Sequence, residues 1–194
     1  GMIAQTMAAR HPGRVRTLTS IMSTTGAPRI GRPALSTRVR MATRRPARTR
    51  AEAVEAAVKM FRHIGSNGFP FDEEWVREKA GTDWDRDPSP AGVARQLAGI
   101  FASGDRTAEL GRIEAPTLVV HGDPDRMVHP TGGAATARAI PDAQLHTIVG
   151  MGHDLPGGAW TRLLDLIVDH TAVRTPVKEH TPVKEHTPVK EHTP

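Results

Sequence analysis

The 194-residue sequence carries 26 Lys or Arg against 21 Asp or Glu, a formal charge of +5, with 10 His and no Cys. Without cysteine there are no disulfides, thiolate metal sites or cysteine nucleophiles, and a reducing cytoplasm is the expected setting. No apolar run approaches the roughly 20 residues of a membrane helix, and Arg10, His11, Arg14 and Arg16 break any signal-like stretch at the start.

The charge is unevenly placed. Residues 10–50 hold 11 Arg and no acid, which leaves the remainder at −6. A nucleic-acid binder would use such a patch on phosphates, but residues 10–50 contain no Phe, Trp or Tyr to stack on bases. Arg outnumbers Lys 21 to 5 beside abundant Ala, Gly and Pro, so GC-rich codon usage explains the stretch better, and no nucleic acid is expected as a partner.

In chain order, a helix over residues 2–10 is expected to stop at His11-Pro12-Gly13. Three short runs rich in β-branched residues read as strands: Arg16–Met22, Pro116–His121 and Gln144–Val149. Helices are expected over 131–139 and over 159–171, where Trp160, Leu163, Leu164, Ile167 and Val168 recur at helical spacing. Strands alternating with helices imply a parallel α/β sheet covered on both faces.

Between the first two strands lies an excursion of 84 residues, Ala27 to Leu110, with no convincing strand. It reads as helices over 50–63, 72–80 and 90–103, with Asp72 and Ser89 as caps and Gly65, Gly68 and Gly104 as breaks. Such an insertion is expected to be a cap over a site. Met60, Phe61, Ile64, Phe69, Phe71, Trp75, Ile100 and Phe101 are expected mostly to pack the core of that cap. The expected organisation is therefore 1–26 and 111–174 as sheet core, 27–110 as cap, and 175–194 as a tail. That tail repeats Thr-Pro-Val-Lys-Glu-His three times, and Pro at every sixth position predicts an extended, solvated segment. In a polyproline helix His180, His186 and His192 would stand roughly 19 Å apart, too far to share one metal ion.

Two motifs sit where strands end, the edge at which open α/β sheets place their sites. One is Val120-His-Gly-Asp-Pro-Asp125-Arg-Met-Val128, and the other is Gly150-Met-Gly-His153-Asp-Leu-Pro156. A strand-end carboxylate and a later strand-end imidazole can form the hydrogen-bonded pair that makes His a general base. The 28-residue interval holds one helix and one strand, so both loops can emerge at the same edge. His121 and His129 flank the first motif without a third ligand at recognisable spacing, which favours supporting or surface roles over a metal site.

His-Gly-x-x-Asp after an apolar strand, then Gly-x-Gly-His after the next, resembles the C-terminal half of an α/β-hydrolase. The resemblance covers nearly all of residues 1–174 and implies a partial α/β-hydrolase fold: the last three parallel strands with flanking helices and a helical cap insertion. It implies Asp125 as triad acid and His153 as triad base, following a nucleophile in chain order. Asp123, in Gly-Asp-Pro, is expected to brace the turn. No cofactor and no metal are implied. Gly1-Met2-Ile3-Ala4 resembles the end of the family's elbow, Gly-x-Ser-x-Gly-Gly-Met-x-Ala, which would set the serine three positions before Gly1. Ser66 in Gly65-Ser-Asn-Gly68 has the wrong spacing to replace it. The expectation is a Ser-His-Asp carboxylic-ester hydrolase acting on a small-molecule ester, lacking its serine-bearing half here and inactive alone.

Gly68-Phe-Pro-Phe-Asp72 together with Gly150–Pro156 is similar to the branch of anthracycline (aclacinomycin-type) methylesterases. Two alternatives stand beside it. One is another reaction of the same fold, as in epoxide hydrolases, dehalogenases or peroxidase-like members. The other is a non-catalytic remnant or binding fragment, self-associating through an exposed sheet edge at residues 16–22.

Overall fold

A computed structural model describes residues 1–89 and 91–172. The Thr-Pro-Val-Lys-Glu-His repeat lies outside the described residues. Three strands, β1 (Leu18–Ile21), β2 (Thr117–Gly122) and β3 (Gln144–Ile148), form a parallel sheet in the order β1-β2-β3. Leu18 lies opposite Thr117 and Ile21 opposite Val120; on the other side Leu118 meets Gln144 and Gly122 meets Ile148. Every residue of β2 is buried, which is why Leu118–Val120 form a continuous apolar run rather than an alternation.

Helices cover both faces of the sheet. α1 (Met2–Arg10) contributes Ala8 to a cluster with Leu18, Leu110, Ile113, Ala115 and Ile140. The opposite face packs Leu118, Val120 and Ile148 against Met151, Ala159, Leu163 and Leu166. The last two residues belong to the C-terminal helix, Trp160–Ala172, which buries a narrower stripe than its sequence suggested: Trp160, Leu164 and Val168 are 57%, 58% and 61% exposed. At its far end His170 Nε2 donates to Leu18 O at 3.1 Å, tying the helix to β1.

The excursion after β1 contains five helices among the described residues: α2 (Leu35–Thr43), α3 (Arg50–Ile64), α4 (Glu73–Arg86), α5 (Ala91–Ala102) and α6 (Thr107–Leu110). The sequence reading missed α2 and α6. α2 has a single buried residue, Thr37, so no apolar face announces it, and α6 is one turn long. Thr49 and Asp72 cap α3 and α4 by accepting from the N–H groups of Glu52 and Trp75. Ser89 Oγ accepts from Ala91 N at 3.2 Å. α4 runs through Gly81 to Arg86, well past the expected end at residue 80; a methyl group at Gly81 would collide with the Arg50 guanidinium.

The apolar residues of this excursion do not share one core. Ile64 is buried, but Trp75, Ile100 and Phe101 are 51%, 47% and 75% exposed, and α5 buries none of its side chains. Phe69 packs instead against the sheet's cluster, and Phe71 stacks under the Arg62 guanidinium at 4.6 Å. α3 and α4 pack on each other, and their buried residues include Val54, Val58 and Val76 rather than the aromatic rings. α7 (Thr131–Ala139) connects β2 to β3 as expected.

Candidate active site

Both strand-end motifs emerge at the C-terminal edge of the sheet. Leaving β2, the chain turns so that Asp125 Oδ1 accepts from the N–H groups of Met127 and Val128, each at 2.8 Å. Those two bonds fix the carboxylate and leave Oδ2 free to face the neighbouring loop. His153 reaches it from the β3 loop with Nδ1 at 2.8 Å from Oδ2. The two residues singled out by the sequence are thus brought together, one fully buried and the other with a side chain 29% exposed. A ring that donates Nδ1–H to a carboxylate leaves Nε2 as its basic atom.

The approach of the two loops depends on glycine. A methyl group on Gly122 would sit 1.7 Å from Met151 O, so the His153 loop can cross the end of β2 only there. Gly150 turns the chain at φ +77°, and its carbonyl accepts from Asn67 N and Gly68 N, both at 3.0 Å. Asp123, expected to brace its own turn, bonds instead across to the other loop: its Oδ1 accepts from Gly150 N at 2.6 Å, joining the acid loop to the histidine loop.

Three further groups hold the pair; of these the sequence pointed only to His121, as a residue flanking the acid motif. His153 N donates to Ile64 O at 2.8 Å, docking the loop on the end of α3. Ser66 lies beneath it, donating to Asp154 Oδ1 through both its amide (2.8 Å) and its hydroxyl (2.5 Å), while its Oγ accepts from Gly152 N at 2.9 Å. His121 is 1% exposed and stands with Nε2 at 2.8 Å from Val128 O and 3.4 Å from Asp125 Oδ2. The nearer carbonyl takes the N–H, and the carboxylate is a second, longer acceptor. His129, by contrast, is exposed and bonds only to Thr131.

Burial works to raise the Asp125 pKa. The His121 and His153 hydrogen bonds, the attraction of His153 and the Val128 N–H outweigh it and hold the carboxyl at about 2, well below its usual value of 3.8. Asp125 is therefore an anion at neutral pH, as a carboxylate that orients an imidazole must be. Among the described residues no group of three or more His, Asp or Glu could enclose a metal ion. No helix among them is long and apolar enough to cross a membrane.

A parallel sheet with helices on both faces, an acid loop after one strand and a histidine loop after the next define a hydrolase fold, and residues 1–156 match the alpha/beta hydrolase fold family. The chain belongs to that family. It is 30% identical to rhodomycin D methylesterase DnrP of Streptomyces peucetius over 134 residues, 67% of this chain and 44% of that one. Rhodomycin D methylesterase DauP of Streptomyces sp. (strain C5) is 29% identical over 146 residues, 70% of this chain and 45% of that one. The chain thus spans less than half the length of these relatives. The fold is also that of a meta-cleavage product hydrolase from Pseudomonas fluorescens IP01, with a TM-score of 0.64 at 17% identity over 87% of this chain and 60% of that one.

Proposed function

We propose that this chain supplies the acid and base of a carboxylic-ester hydrolase. His153 Nε2 accepts the proton of a nucleophilic hydroxyl and returns it to the leaving alcohol, while Asp125 holds the ring and balances the imidazolium. The observation that carries this reading is the 2.8 Å contact between His153 Nδ1 and Asp125 Oδ2, made by a buried anion and a partly exposed ring at one sheet edge. The methylesterase relatives support a small ester as substrate. The excursion 27–110 acts as the cap over the site, its α3 end already bonded to the His153 loop.

Gly-x-Ser-x-Gly does not occur within residues 1–194. The chain alone is therefore expected to hydrolyse 4-nitrophenyl acetate no faster than buffer does. Turnover by residues 1–194 that disappears in His153→Ala would show that a nucleophile is present after all. Mixed with the part of DnrP that this chain does not match, it should hydrolyse a methyl ester. His153→Ala should then cost at least about 10³-fold, and a mixture indifferent to that change would overturn the roles assigned here.

A second reading rests on β1, whose outer edge is paired with no strand among the described residues. An open edge of this kind favours pairing with another chain, either a second copy or a partner that supplies further strands of the fold.

A further inference from the structure

The arginine-rich stretch of residues 10–50 plays no part in the acid–base pair, yet one piece of it lies beside that pair. Ala34 N donates to Arg126 O at 3.0 Å, which seats the start of α2 on the residue that follows Asp125. Two and three residues later, Ser36 Oγ and Thr37 Oγ1 stand 3.3 and 3.0 Å from His63 Nε2. His63 precedes Ile64, whose carbonyl accepts from His153 N. Arg40 follows Ser36 by four residues and Thr37 by three, on the same side of α2. Two hydroxyls and one imidazole therefore meet at a corner close to the pair, with the Arg126 backbone seated at the start of α2 and Arg40 one turn further along that helix.

Apart from the buried Asp125 carboxylate, which is bonded within its own loop and to His153, the charged residues placed here are cations. Arg50, Arg62 and Arg77 of the excursion each have a carboxylate partner, whereas neither Arg40 nor Arg126 has one among the described residues. Burial, then Arg40, then Arg126 lower the His63 pKa, and no carboxylate offsets them. A hydrogen bond that merely pinned α2 to α3 would need no cations beside it. A corner of hydroxyl and guanidinium donors without a free acid is instead suited to a bound anion.

We infer that Arg40, Arg126, Ser36 and His63 form a subsite for a free carboxylate carried by the ester substrate. The inference rests on the hydrolase reading and narrows its substrate class to half-esters and other esters bearing a second, ionised carboxyl group. The guanidinium groups donate to the carboxylate, Ser36 supplies a hydroxyl donor, and buried Thr37 keeps the His63 ring in place. The acid-free stretch around α2 adds a positive field that draws such substrates to the corner.

The test is binding rather than turnover, so it stands apart from the hydrolase reading. Monomethyl succinate and its neutral counterpart dimethyl succinate are titrated into the full chain while the His63 ring protons are followed by NMR. The anion should bind at least about tenfold more tightly than the diester, and added NaCl should weaken it. Arg40→Gln and Arg126→Gln, both at exposed positions, should each weaken it about tenfold, and Arg126→Lys should restore part of the loss. His153→Ala should leave this affinity within about twofold, because the subsite does not need the base. Equal affinity for the two esters, no response to either Arg→Gln change, or no binding at millimolar concentration would overturn the inference. Inorganic phosphate outcompeting monomethyl succinate would also overturn it, by assigning the corner to phosphate groups. If the anion preference holds while the complemented chain hydrolyses no ester, the subsite stands and the hydrolase reading fails alone.

Discussion

Ser66 and Asp154 are 88 residues apart in sequence and joined by two hydrogen bonds, amide and hydroxyl both donating to one carboxylate oxygen. Because the same hydroxyl accepts from Gly152 N, this side chain locks the histidine loop on both sides of His153. Ser66→Ala should cost about 1–3 kcal/mol, since it leaves the Gly152 N–H and part of the Asp154 carboxylate without partners. Urea denaturation measures the loss. The downfield Nδ1 proton of His153 should also broaden in the variant while the rest of the spectrum is kept; an unchanged signal would mean that the clamp does not position the ring.

Asp125 makes stability depend on acid in a defined direction. Its folded pKa of about 2 lies below the unfolded value, so its contribution is complete above about pH 4 and lost as the pH falls to 2. The contribution is on the order of 2 kcal/mol. Between pH 5 and 2.5 the urea midpoint of the native chain should fall further than that of Asp125→Asn. Partly buried carboxylates such as Glu73 and Glu109, paired with arginines, titrate in both proteins, so the difference isolates Asp125. Parallel curves would show that the carboxyl is not held low.

His121 is confined from behind as well as in front. A methyl group at Gly133 would lie 2.5 Å from its Nδ1, and the ring cannot retreat while Nε2 is bonded to Val128 O. Gly133→Ala should therefore lower stability by about 1–3 kcal/mol and shift the His121 and His153 resonances together. A thermal melt equal to that of the native chain would show that α7 moves aside without cost.

The free edge of β1 can be blunted without touching the sheet. Leu18 N and Met22 N donate inward to Pro116 O and Val120 O, so the alternate N–H groups of Thr19 and Ile21 point away from β2. If the chain associates through this edge, Thr19→Pro should convert a dimer to a monomer in sedimentation while circular dichroism is kept. A dimer that survives Thr19→Pro is held together elsewhere.

Local pattern determined the order of elements in this protein. β2, β3, α1 and α7 lie within two residues of where apolar period and Gly/Pro punctuation place them. Asp125 and His153 were also legible, because a parallel strand delivers its last residues to one edge of the sheet whatever the rest of the chain does. α2 was not, since a helix with one buried residue has no apolar period to read.

Packing alone decided which groups surround the pair. Ser66 under Gly152, His121 behind Asp125, and Ser36 and Thr37 against His63 are meetings of residues that share no periodic pattern, three of them between different elements. The same holds for Phe69 joining the sheet's core while Phe101 stays in solvent. Periodicity records which side of an element is apolar; it does not record what that side will meet, because that depends on register and on the close approaches that Gly122 and Gly150 permit.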